Sequence, residues 1–239
     1  MQNIPHKGAE KERASCAEMA GARAKIYDLL LGIFSHLPDQ QLLRKIRGDH
    51  LKNVLNALSQ LNSTRCGSGL NLIDSYQSSI KFRPDEEVLT ELSVDRTKIL
   101  RGTGHTDLKP PYEGLYKAGR DVGQSLLEVK RFYRESGMLP DETVHEPPDY
   151  ICVELDFMKR ICLKEQDLWS SEGDVLKVIA TEETFLTEHL GSWVGEFCQQ
   201  VERHALTDFY RGFAVIMEAV VLTEVQYMRR LFQTLKGIS

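Results

Sequence analysis

The chain has 239 residues, with 30 Lys and Arg against 35 Asp and Glu for a formal charge of −5, and 41% of its side chains are apolar. These are the proportions of an ordinary globular protein, and the acidic balance gives no reason to expect a nucleic-acid partner, whose binding face would be basic. The longest hydrophobic run, residues 213–217, is interrupted by Glu218 before resuming over 219–222, far short of the roughly 20 residues that a membrane-spanning helix needs.

The first residues mix Lys7, Glu10, Lys11, Glu12 and Arg13 with no apolar run of signal-peptide type, which predicts a flexible tail over residues 1–14 and a cytoplasmic protein. From Ser15 onward the chain reads as helices punctuated by Pro and Gly, with almost no period-two alternation. This predicts one all-α domain over residues 15–239, built from roughly eight to ten helices. Ser15 followed by Glu18 is a capping-box pattern ahead of Ala24, Tyr27, Leu30, Leu31 and Phe34, and Pro38 closes that helix. A second helix starts after Asp39 and carries Leu42, Leu43, Ile46, Leu51, Val54, Leu55, Leu58 and Leu61. Cys66-Gly67-Ser68-Gly69 reads as a turn, followed by a short helix through Leu72, Ile73, Tyr76 and Ile80. After Pro84, Asp85 caps a helix with Val88, Leu92 and Ile99 on one face.

Two glycines and a proline pair make residues 102–111 a loop of the length that often carries function, and the place where two helical lobes would divide. Helices are predicted over 121–136, 149–169, 175–190, 193–204 and 207–235.

The familiar catalytic arrangements are missing. Glu142 to His145 has the Glu-x-x-His spacing but lies in a Pro-bounded loop with no second copy, and His189 and His204 stand singly on helices. Five cysteines (Cys16, Cys66, Cys152, Cys162, Cys198) are odd in number, irregularly spaced and without a CxxC pair, as expected of reduced thiols. Gly67-Ser68-Gly69 and Gly102-Thr103-Gly104 lack the Lys of a phosphate loop, and no Ser or Cys has the context of a nucleophile elbow. The sequence therefore predicts a non-enzymatic protein with no metal and no cofactor.

What remains is a recognition surface. Glu135, Asp141, Glu142, Glu146, Asp149, Glu154 and Asp156 fall in one stretch without a single Lys or Arg, which suggests a cationic partner. Pro147 and Pro148 stiffen the approach to Asp149, which reads as an N-cap. Lys109-Pro110-Pro111-Tyr112-Glu113-Gly114-Leu115-Tyr116 forms a second, aromatic segment. Residue by residue, a solvated cap and ordinary packing at a helix start account for these two segments equally well.

Together and in order, however, they resemble a known family. Pro110 to Tyr116 is similar to the PPYES-hydrophobic-Tyr element of the TorD/DmsD redox-enzyme maturation chaperones, relatives of the NarJ group. Glu146-Pro147-Pro148-Asp149-Tyr150 and Glu154-Leu155-Asp156-Phe157-Met158 resemble that family's E-x-P-D-H and E-L-x-F-M signature, and Phe185-Leu186, His189-Leu190, Trp193, Phe197 and Phe209-Tyr210 are similar to its C-terminal helices. The resemblance implies an all-helical cytoplasmic chaperone that binds the twin-arginine signal peptide of a molybdenum oxidoreductase and delays export until the cofactor is inserted. It implies contact with the leader and with the folded body of the client, by a monomer or a homodimer.

On the matched positions Asp149 becomes the arginine contact, since Arg makes paired hydrogen bonds to carboxylate. Glu146 and Glu154 steer the cation in, Tyr112 and Tyr116 accept the apolar part of the peptide, and Glu113, Pro147, Pro148 and Tyr150 complete the expected site. Tyr150 stands where the family has His and Gly114 where it has Ser, so a ring face for stacking replaces an imidazole. Two alternatives stay open: an assembly factor that grips the mature subunit without reading the leader, and a helical metal- or cofactor-binding enzyme.

Overall fold

A computed structural model describes residues 5–48, 64–102, 106–117, 122–140 and 145–238. Among the described residues there are ten helices and no strand beyond one isolated bridge. They are α1 (Pro5–Ser35), α2 (Gln40–Arg47), α3 (Thr64–Ser79), α4 (Asp85–Arg101), α5 (Glu113–Tyr116), α6 (Val122–Ser136), α7 (Ile151–Ser170), α8 (Leu176–Glu188), α9 (Leu190–His204) and α10 (Asp208–Ile238). The all-α expectation holds. No helix among the described residues is long and apolar enough to cross a membrane.

The centre is α7, whose first eight residues are buried apart from Asp156, with Ile161, Cys162, Glu165 and Trp169 continuing the buried side. A helix apolar around most of its circumference is stable only when other helices enclose it. Along one side α1 runs antiparallel to it: Arg13 donates to the Leu168 carbonyl at 3.0 Å near the end of α7, while Asp28 meets Lys159 at 3.2 Å further back. The other main layer is α10, packed against α3, α8 and α9.

A buried ion cluster ties the layers together. Arg23 on α1 donates from Nε to Glu224 of α10 at 2.6 Å, from Nη1 to Glu165 of α7 at 2.5 Å, and from Nη2 to Glu182 of α8. One guanidinium against three carboxylates leaves surplus negative charge in the interior. Burial pushes the Glu182 carboxyl up to about 8; Arg23 pulls it down, while Glu165 and Glu224 add to the rise.

Four local expectations are corrected. Helix α1 begins at Pro5, so Ser15 lies inside it and residues 5–14 are helical. Arg13 explains the extension, since its guanidinium donates to the carbonyls of Leu168, Trp169 and Gly173 and stacks 5.1 Å from the Trp169 ring. Residues 66–69 are not a turn but part of α3. A Cβ on Gly69 would stand 2.7 Å from the Gly212 carbonyl, and one on Gly212 would stand 2.7 Å from the Gly69 carbonyl. These glycines let two helix backbones meet rather than reversing the chain. Asp85 is the first residue of α4 and pairs with Arg47, the N-cap being Pro84 without a side-chain bond.

The fourth correction concerns Asp149 and is described with the site. Asp39 does cap α2, accepting from the Leu42 N–H at 2.7 Å. The continuation expected through Leu51 to Leu61 lies outside the described residues.

Candidate functional site

Each of the two sequence segments places a proline pair just before a helix start. Proline has a fixed φ and no N–H, so both approaches are extended and short of donors. The structure joins them. Tyr112 and Tyr150 form an antiparallel bridge, with the Glu113 N–H donating to the Asp149 carbonyl at 2.9 Å and the Ile151 N–H to the Pro111 carbonyl at 3.0 Å. The two tyrosine rings lie 5.3 Å apart at 41°. The Tyr133 hydroxyl donates to the Pro148 carbonyl at 3.1 Å and fixes the second approach from α6.

Asp149 does not cap α7. The N-cap is Tyr150, with no side-chain bond, and the Asp149 carboxylate instead accepts from the Gly114 N–H at 3.4 Å, in the first turn of α5. Those first amides of α5 have no other side-chain cap, and the bridge swings Asp149 over them. The residue is 3% exposed, and burial raises its carboxyl above the ordinary range against the lowering effect of the Gly114 donor.

Two more of the expected carboxylates are interior. Glu113 is fully buried, with both oxygens 3.1 Å from His189 Nδ1 and the Lys117 ammonium in contact. Burial alone would raise it, but the imidazole and the ammonium outweigh that and hold it below the usual carboxylate range. Glu154 is also fully buried and accepts from Trp193 Nε1 at 3.1 Å, while its Oε1 has no hydrogen-bond partner among the described residues. Burial and the neighbouring charges of Glu113 and Asp149 push its carboxyl well above its ordinary value.

Tyr116 faces α9. Its hydroxyl sits 2.7 Å from the Lys109 carbonyl and 3.0 Å from Gln200 Oε1, and its ring lies 5.3 Å from Trp193 and 6.0 Å from Phe197.

Thus the expected residues come together, but mostly as interior packing. Tyr112 and Pro148 are half-buried, Glu146 and Pro147 are exposed, and Asp149, Tyr150, Glu113, Glu154 and Tyr116 are buried. The open feature beside them is a groove of about 1930 Å³. Leu29 and Ile33 of α1 and Leu37 just beyond its end give it an apolar wall, and Val153, Leu139 and Tyr150 also line it. Of the nine expected residues, Glu146 and Tyr150 line it.

Several cations in the groove are already engaged. Arg96 donates to the Phe34 carbonyl at 2.6 Å, Lys159 pairs with Asp28 and Asp156, and Arg160 pairs with Asp156 at 2.8 Å. Glu146 has no ion-pair partner among the described residues.

Sequence reasoning passed over His189 and Trp193 as members of the site, although the partners they meet are the Glu113 and Glu154 that it selected. Arg23 carried no signal at all. Among the described residues, no three His, Cys, Asp or Glu side chains gather where they could hold a metal ion.

Residues 66–199 match the family model described as nitrate reductase delta subunit. The chain is similar to the chaperone protein TorD of Vibrio vulnificus strain YJ016, with 22% identity over 86% of this chain and 94% of the relative. It is 23% identical to the chaperone protein TorD of Shewanella sp. strain ANA-3 over 87% of this chain and 95% of the relative. The chlorate reductase assembly chaperone protein of Ideonella dechloratans is 29% identical over 41% of this chain and 51% of its own length. No solved structure matches.

Proposed function

The chain belongs to the nitrate reductase delta subunit family, and from that premise we propose that it is a cytoplasmic, non-enzymatic chaperone for assembly of a molybdenum-containing oxidoreductase. In this reading it holds the twin-arginine leader of its client in the groove and delays export until the cofactor is in place. The observation that carries the reading is the groove itself: an apolar wall from Leu29, Ile33 and Leu37, with the Tyr150 ring and the Glu146 carboxylate, which has no ion-pair partner among the described residues, on its lining. A leader with two guanidinium groups followed by an apolar stretch has the complementary chemistry. The names of the relatives, chaperone protein TorD and chlorate reductase assembly chaperone, support the coarser part of the reading.

The test is a calorimetric titration with a synthetic leader peptide and its Arg-to-Ala double variant. Binding of the first and loss with the second is the expected outcome; equal binding of both counts against leader reading.

A second reading, a factor that grips the mature catalytic subunit without its leader, is favoured by the burial of Asp149, Glu113 and Glu154, which leaves few of the expected carboxylates for a guanidinium. Capture of a leaderless client as efficiently as the full-length one would select it.

A further inference from the structure

We infer that Asp149 is a positioning residue for client recognition and that Glu146 is the carboxylate that meets the client guanidinium. The inference rests on the leader-binding reading above.

Asp149 is 3% exposed and does not belong to the groove lining. Two of its acceptor oxygens bond to α5: Oδ2 to the Gly114 N–H at 3.4 Å and the carbonyl to the Glu113 N–H at 2.9 Å. At that exposure it offers little surface to an incoming guanidinium. What these bonds do accomplish is to fix the next residue, Tyr150, in the groove wall, with its ring 5.3 Å from Tyr112.

The bond from Gly114 to Asp149 needs an acceptor oxygen and no charge, since the donor is a neutral amide. Reading a guanidinium by charge-assisted bonds needs an ionised, reachable carboxylate. Glu146 is the reachable one: it is exposed, lines the groove and has no ion-pair partner among the described residues. It also precedes Pro147 and Pro148, and the Tyr133 hydroxyl holds the Pro148 carbonyl at 3.1 Å, so it is presented from a stiff segment. The nearby groove cations Arg96 and Arg160 are tied to the Phe34 and Leu139 carbonyls and to Asp156.

The experiment titrates wild type, Asp149→Asn, Asp149→Ala and Glu146→Gln with two synthetic peptides: a leader with Arg-Arg ahead of an apolar stretch, and the same leader with Gln-Gln. Melting temperatures are read in parallel. Asp149→Asn keeps an acceptor oxygen, and the inference predicts wild-type affinity for both peptides and unchanged discrimination between them. Asp149→Ala should melt earlier and lose the same factor with both. Glu146→Gln should melt as wild type, lose about 1.5- to 5-fold for the Arg-Arg peptide, as for an exposed ion pair, and lose nothing for the Gln-Gln peptide. Selective loss of the Arg-Arg peptide by Asp149→Asn, or full discrimination retained by Glu146→Gln, overturns the inference while leaving leader binding intact. Failure of the wild type to bind either peptide instead removes the leader-binding reading, and the inference with it.

Discussion

His189 Nδ1 lies 3.1 Å from both carboxylate oxygens of Glu113, and that contact fastens the short α5 to the junction of α8 and α9. His189 is itself the break between those helices, with φ −114° and ψ −103°, so its backbone ends one helix while its side chain anchors another. Replacing it leaves a buried carboxylate with Lys117 as its remaining cation. His189→Ala should therefore lower the unfolding free energy by about 1–3 kcal/mol, the cost of stranding a buried polar group. Urea denaturation checks this, and an unchanged midpoint would show that the contact holds nothing.

A larger effect is expected at Arg23. Its guanidinium serves Glu165, Glu182 and Glu224, each on a different helix, and all four groups are almost fully out of solvent. Removing one side of a buried charge cluster costs about 3–5 kcal/mol, because the uncompensated charges stay behind. Arg23→Leu should lose that much in denaturant unfolding, and Arg23→Lys most of it, since one ammonium cannot satisfy three separately directed carboxylates.

The same cluster sets a pH dependence. Glu182 faces Arg23 from α1, Glu165 and Cys162 from α7, and Glu224 from α10, and in the folded chain it titrates near 8. Unfolded, it would titrate near the ordinary Glu value of about 4.3. Between these values the unfolded chain has released the proton that the folded chain still holds. Stability from this group is thus complete below about 4.3, falls as pH rises toward 8, and levels beyond it. Glu182→Gln should flatten that part of the curve and raise stability at pH 8. A wild-type curve as flat as the variant's over this range would contradict the assignment.

Gly212→Ala tests the contact between α3 and α10. The added methyl would stand 2.7 Å from both the Gly69 carbonyl and the Ile73 side chain, so backbone must move. Overpacking of this kind costs about 1–3 kcal/mol. Gly67→Ala in α3 meets nothing within 4 Å and should leave the melting temperature unchanged or slightly raised.

Much of the fold was legible because the information was local. Apolar spacing and Pro and Gly punctuation marked the helices, and the cap at Asp39 was readable because donor and acceptor are three residues apart. The misreadings share one cause: a distant partner decided the outcome. Gly69 reads as a turn residue until Gly212 is seen against it, and Asp149 reads as the cap of its own helix until the bridge places it over Gly114. Arg23 could not have been found, because an arginine inside a helix has no local mark when its three carboxylates lie on three other helices.

The candidate site was half legible for the same reason. Residue types and order drew attention to Tyr112, Glu113, Asp149, Tyr150 and Glu154, which do come together. Burial, which sequence does not show, turned the acids among them inward and left Glu146 facing the groove.

The central claim is that a client leader occupies the groove between α1 and the start of α7. Hydrogen exchange of the protein with and without a saturating Arg-Arg leader peptide tests it most directly. The account predicts slowed exchange from Leu29 through the end of α1 to Leu37 and in the segment from Glu146 to Val153, with α3 and the outer face of α10 unaffected. Protection confined to α3, α9 or α10, with both groove walls exchanging as in the free protein, would contradict it.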